Sequence, residues 1–331
     1  EGLNRVWSMR LNRVNRVPPG KTDWVLGGFM SMTIKNINPK LFNLEDVQDW
    51  KKSFYEEGYV VIKDIISSNE NKEATSLFKK EWNIVSPNFD WEDKHTWTTK
   101  NIPMVYGKGM AVFNGFGQSQ FMWYLRTKKN VKEAFVCLFE DEDLVVSFDG
   151  FSVFLSKKQK SPIWLHQDQR SQDNTISVQG MVNLCPVSSK DAGFICVPKS
   201  HLTHVPPPSN RDFIVLSKED EHYKKAVKLC IPENCLVLLN SKTIHANTGM
   251  GSKEDELNRL TAYIAFCPRS RQSKEVYKQR LEGYSKGHTS SHWANKHEVK
   301  TVPFHIRKSY KEKGFKDLKS ATICEKLLEL I

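Results

Sequence analysis

Between about residue 144 and residue 270 the chain is written in short apolar runs: "LVVSFDGFSVFLS", "SPIWLHQ", "TISVQGMVNLCPV", "GFICVPKSH", "CLVLLNSKTIHAN" and "RLTAYIAFCP". β-Branched and aromatic residues dominate them, and Pro or Gly interrupts at short intervals, so the block reads as strands joined by tight connections. Strands of this kind must each bury a face, which requires a second sheet or closure of the first. The text before the block is helical and the text after it is charged. The expected fold class is therefore mainly β with flanking helices (α+β), a β-sandwich or jelly roll with the helices packed outside.

The flanking helices are legible from their spacing. In "NLEDVQDWKKSFYEEG", Leu44, Val47, Trp50 and Phe54 share one helical face, with Asn43 as the expected cap and Gly58 as the stop. "YVVIKDII" follows as a strand, a second helix fits "NENKEATSLFKKEWNIV", and a third fits residues 119–138. Residues 44–140 thus form a helical part, about 144–270 the β-core, and 271–331 a basic, mostly helical part of one domain spanning 31–331. The first 30 residues differ: "NRV" occurs at 4–6, 12–14 and 15–17, then Pro18, Pro19 and Gly20 follow, with no apolar signal region. They are expected to be a disordered or non-native extension.

Net charge is +11, of which residues 1–30 carry +3 and residues 269–331 carry +8, so the middle of the chain is neutral. Basic ends permit contact with a polyanion, but they are more often solvated segments, and a small-molecule substrate is expected rather than nucleic acid. No apolar stretch approaches the roughly 20 residues of a membrane span. The seven cysteines form no CxxC pair and sit mainly in apolar runs, as buried thiols in a reducing compartment do, so the cytosol is the expected location.

The chemistry concentrates in the β-block. "WLHQDQ" sets His166 and Asp168 two apart, a spacing that puts both side chains on one face of a strand. His245 closes another apolar strand. Two imidazoles and one carboxylate on a β-scaffold are the facial triad that holds Fe(II) and leaves positions open for a co-substrate and O2; zinc would prefer a tetrahedral site and has no redox chemistry. Arg259, in "NRLTAYIAF", enters the next strand. A buried guanidinium needs a carboxylate, which a dicarboxylic co-substrate would supply, with Thr261 on the same face adding a hydroxyl. The alternative is an exposed edge arginine paired with Glu254 or Glu256. Trp164 shares a face with His166 and Asp168, as a pocket wall or a core residue. Asp149 closes a turn or faces the site.

The order of these motifs resembles the phytanoyl-CoA dioxygenase (PhyH-like) family over about residues 45–270. "WLHQDQ" resembles its HxD strand, "DAGFICVPKSH" its "dGgf-vvPgSH" turn, "IPENCLVLLNSKTIHANTG" its distal-His strand, and "SFDGF" the strand before HxD. Lys199 stands where the family usually has Gly, and His201 belongs to the same turn. The resemblance implies a double-stranded β-helix, Fe(II) held by His166, Asp168 and His245, and Arg259 binding the far carboxylate of 2-oxoglutarate. It also runs the strand of Gln179, Met181 and Asn183 past the co-substrate, so Gln179 or Asn183 is a candidate contact. The implied activity is a 2-oxoglutarate-dependent hydroxylase releasing succinate and CO2.

Overall fold

The computed structural model describes residues 34–103, 109–155, 163–170, 174–205, 211–249 and 255–331. The chain divides into two units, 1–33 and 34–331, and the expected N-terminal extension lies outside the described residues. The larger unit is a sheet-rich core with flanking helices. Its strands in chain order are β1 (Lys35–Ile37), β2 (Leu41–Phe42), β3 (Tyr59–Ile62), β4 (Met110–Ala111), β5 (Leu144–Val146) and β6 (Phe151–Phe154). Then follow β7 (His166–Gln167), β8 (Val178–Asn183), β9 (Gly193–Cys196), β10 (Ile214–Val215) and β11 (Val227–Leu229). The last are β12 (Cys235–Asn240), β13 (His245–Thr248), β14 (Arg259–Tyr263) and β15 (Phe266–Pro268).

One sheet runs β1-β11-β9-β13-β7-β10 and the other β2-β3-β12-β8-β14-β6-β4, with β15 and β5 as a separate pair. Alternation sorts every central strand. Val61, Met181, Cys235, Val237 and Leu239 of the second sheet pack with Phe194, Cys196 and Leu229 of the first, so these faces meet between the sheets. Val60, Val182, Leu236, Leu238, Leu260 and Ala262 point the other way, into the cluster formed with the helices.

The helices on that outer face form where their apolar spacing predicts. Helix α1 (Val47–Glu57) buries Trp50 and Phe54 and stops at Gly58, whose left-handed φ of 81° lets its N–H reach the Phe54 carbonyl. Asn43 does not cap it; Asp46 occupies the cap position, and Asn43 instead donates to the Asp46 carboxylate. Helix α2 (Ser68–Val85) starts with a reciprocal Ser67–Glu70 capping box and buries Ala74, Phe78, Glu81, Trp82 and Val85. The helix expected over 119–138 is two, α3 (Gln120–Arg126) and α4 (Lys129–Phe139). At the break, the Thr127 hydroxyl donates to the Tyr124 carbonyl, and Lys128 turns extended. Beyond β15, helix covers Lys274–Ser285, Arg307–Glu312 and Glu325–Leu328, and irregular chain joins them. The composition there is charged, but few apolar residues recur at helical spacing. No helix among the described residues is long and apolar enough to cross a membrane.

Candidate metal centre

His166 and His245 are cross-strand partners on β7 and β13, so one register pair brings together two imidazoles distant in sequence. Their rings lie 4.2 Å apart. Asp168 falls just beyond the short strand β7 rather than within it. Its Oδ1 is 3.6 Å from His166 Nε2, and its Oδ2 is 3.3 Å from His245 Nε2. All three ligand atoms lie within 4.8 Å of one another. Cis donors about 2.1 Å from a shared ion stand about 3 Å apart, so small movements would complete the set.

Backbone carbonyls decide the tautomers. His166 Nδ1 is 3.1 Å from the Trp164 carbonyl, and His245 Nδ1 is 2.9 Å from the Thr243 carbonyl. A carbonyl only accepts, so each Nδ1 carries the proton and each Nε2 keeps its lone pair for the centre. Burial, then the neighbouring His245, holds the His166 imidazole below its ordinary value, which keeps it neutral. Burial alone would raise the Asp168 carboxyl, but the two histidines outweigh it and hold it well below the usual range. Gln179 Nε2 donates to Asp168 Oδ2 at 3.0 Å and approaches Ser241 Oγ at 3.4 Å, so this amide orients the carboxylate. Two imidazoles and an ionised carboxylate, each tied from behind, fit a divalent ion of the Fe(II) type.

Across the sandwich, Arg259 is only 2% exposed, which excludes the exposed edge arginine. Among the described residues it makes no ion pair. Its Nε donates to Thr261 Oγ1 at 3.3 Å, while its Nη1 is buried without a hydrogen-bond partner. Thr261 in turn donates to Asn183 Oδ1 at 3.0 Å, and Asn183 Nδ2 donates to the carbonyls of Cys185 and Pro232 at 2.7 and 3.0 Å. Asn183 therefore braces Thr261, and Thr261 braces the guanidinium. Tyr263, inward on the same strand, accepts from Asn247 Nδ2 at 2.9 Å and ties the two sheets together.

Trp164 stacks parallel on His166, with centroids 3.9 Å apart and planes 5° apart. Phe213, 48% exposed, lies 5.1 Å from the His166 ring and completes an aromatic wall. Lys199 adopts a left-handed φ of 64°, the conformation that favours glycine at that turn. His201 is structural, bonded through Nε2 to the Tyr55 carbonyl at 2.9 Å. Asp149 is buried and accepts from Gly150 N–H at 2.8 Å; burial pushes its carboxyl up to about 7.

One further histidine, which no motif marks, lies near enough to the centre to feel its charges. His292 feels the charges of Asp168 and His245, and burial pushes its imidazole down to about 4. Its Nε2 is buried without a hydrogen-bond partner among the described residues. It also lines a cavity of about 320 Å³ with Ser177, Arg271 and Lys296. No sequence motif marks it, because the irregular segment that carries it reaches the site only through tertiary packing, including the Lys296–Asp212 pair at 2.8 Å.

A sheet-rich core with flanking helices is a fold shared with known proteins. No family model matches the chain. The carbocyclase SnoK from nogalamycin biosynthesis, described as non-heme and alpha ketoglutarate dependent, superposes with a TM-score of 0.51 at 14% identity, over 69% of this chain and 87% of that one. The epimerase SnoN, solved with Fe3+, alpha ketoglutarate and nogalamycin RO, gives 0.50 at 16% identity, over 68% and 84%. At these identities the likeness is one of fold. In sequence, Ava biosynthesis cluster protein O of Aspergillus versicolor is 29% identical over 177 residues, 49% of this chain. The match spans 57% of that relative's length.

Proposed function

We propose that the chain is a non-haem Fe(II)- and 2-oxoglutarate-dependent dioxygenase of the phytanoyl-CoA dioxygenase-like kind. In this reading it hydroxylates a C–H bond of a small organic substrate while 2-oxoglutarate and O2 give succinate and CO2. The observation that carries it is Arg259, a buried guanidinium with an unsatisfied N–H on the sheet that faces the His-Asp-His cluster. A metal cupin without a dicarboxylic co-substrate has no use for such a group. The division of β7, β9 and β13 to one sheet and β8, β12 and β14 to the other supports a double-stranded β-helix.

Bound Fe(II), with O2 and 2-oxoglutarate, would supply the oxidising chemistry. The protein's part is placement. His166, Asp168 and His245 would hold the ion, and the Asp168 charge would offset part of the metal's. Gln179 fixes the carboxylate's orientation. Arg259 would offer its free guanidinium N–H to the far carboxylate, which would orient the 2-oxo acid. Trp164 and Phe213 screen the His166 side from water. The biosynthetic names of the similar proteins favour a small-molecule substrate over nucleic acid, and seven unpaired thiols favour a reducing cytosol.

The test is anaerobic. Fe(II) and 2-oxoglutarate together are expected to give a visible metal-to-ligand charge-transfer band, lost on Asp168→Ala. A wild-type protein that binds Fe(II) but shows no band and no affinity for 2-oxoglutarate would sink the oxygenase reading.

A further inference from the structure

Ser152 on β6 is the register partner of Thr261 on β14, and Thr261 is also the partner of Asn183 on β8. Paired side chains share a face. The row Ser152, Thr261, Asn183 therefore points between the sheets, while Phe151 and Val153 point into the helix-side cluster. Ser152 is fully buried, and its Oγ has no hydrogen-bond partner among the described residues. Arg259 Nη1, which lies one alternation along the same face, is likewise buried and without a partner.

Two unsatisfied buried polar groups on one interior row are uncommon, because neither recovers the hydration it has lost. Their positions are close. Directly paired residues hold their Cβ atoms about 4.5–5.5 Å apart, and the Arg259 guanidinium folds back over Thr261 through the Nε–Oγ1 contact of 3.3 Å. The hydroxyl expected on sequence grounds to meet a co-substrate was that of Thr261, but it is already spent: it accepts from Arg259 and donates to Asn183. Ser152 holds the uncommitted hydroxyl on this row. A hydroxyl donor beside a guanidinium donor complements a carboxylate.

We propose that Ser152 is a co-substrate-binding residue, donating its Oγ–H to the far carboxylate of 2-oxoglutarate beside the Arg259 Nη1–H, and that it helps select a dicarboxylic over a monocarboxylic 2-oxo acid. The inference rests on the 2-oxoglutarate reading above and adds a residue that no motif marks.

The experiment is calorimetric titration of the anaerobic, Fe(II)-loaded full chain with two probes. One is 2-oxoglutarate; the other is 2-oxobutyrate, which has the same 2-oxo acid head but no far carboxylate. Loss of one charge-assisted hydrogen bond corresponds to about a 10- to 150-fold loss of affinity. Ser152→Ala is expected to weaken 2-oxoglutarate by that order and leave both 2-oxobutyrate and Fe(II) affinities unchanged. If Ser152→Ala does not fold, the near-isosteric Ser152→Cys is read in the same way. Unchanged 2-oxoglutarate affinity overturns the assignment, as does an equal loss for both probes, which would make Ser152 a packing residue. If wild-type protein binds neither probe, the oxygenase reading itself falls.

Discussion

His245 stands directly across the sheet from His166, one on β13 and one on β7, with ring centroids 4.2 Å apart. The same register that pairs these strands sets the distance between two nitrogens that could hold a metal ion. A one-residue slip would turn His245 to the opposite face of its strand and dissolve the site. Because both Nδ1 atoms are held by backbone carbonyls, the ligands are oriented before any ion arrives.

Metal affinity should separate Asp168 from its support. Asp168→Ala removes the only anionic ligand and is expected to abolish Fe(II) binding. Gln179→Leu keeps the ligand and removes the amide that orients it, for an expected loss of about 10- to 100-fold. Competition with a coloured chelator measures both. Equal losses in the two variants would show that Gln179 is as necessary as the ligand itself.

Arg259→Lys keeps the charge but not the fork. Losing one charge-assisted bond costs about 1.5–3 kcal/mol, so affinity for 2-oxoglutarate should fall about 10- to 150-fold while Fe(II) affinity stays nearly constant. Arg259→Ala should lose more. Joint failure of iron and 2-oxoglutarate binding would identify Arg259 as a structural residue instead.

Metal-free protein should be acid-labile. Burial lowers the folded-state values of His166, His201, His204, His292 and His297. At these five sites the unfolded chain therefore binds more protons from the ordinary value of about 6.5 downward, and their contribution to stability rises with pH through that window, opposed in part by Asp149, whose carboxyl burial raises to about 7. Asp168, held low, acts in the same sense at more acid pH. Urea unfolding of the metal-free protein between pH 5 and 7.5 should show the rise, and His166→Gln should flatten part of it. A stability that falls across this range would contradict the buried, neutral state of these imidazoles.

Glu81 of α2 accepts the backbone N–H groups of Gln120 at 2.7 Å and Phe121 at 2.9 Å, closing the start of α3 from outside. Glu81→Ala leaves these donors unpaired and is expected to cost about 1.5–3 kcal/mol in urea unfolding. A change within experimental error would mean that water replaces the carboxylate without loss.

The periodicity of the chain by itself determined the strand block, α1 and α2, because burial of one face imposes period 2 on strands and 3.6 on helices whatever the fold. The spacing and order of residue types, together with the family resemblance, marked His166, Asp168, His245 and Arg259 as candidates, since few other side chains offer that ligand and anion chemistry in apolar runs. Tertiary structure decided the rest. The break between α3 and α4 depends on where Thr127 finds a carbonyl, and the cap of α1 depends on how Asn43 and Asp46 meet. That Gln179 serves Asp168, that Thr261 spends its hydroxyl on Asn183, and that Ser152 keeps its own, follow from cross-strand register between segments distant in sequence. His292 approaches the centre from an irregular segment with no pattern to read. Hydrogen-bond partners are set by distances across the fold, and a linear sequence records the donors and acceptors without those distances.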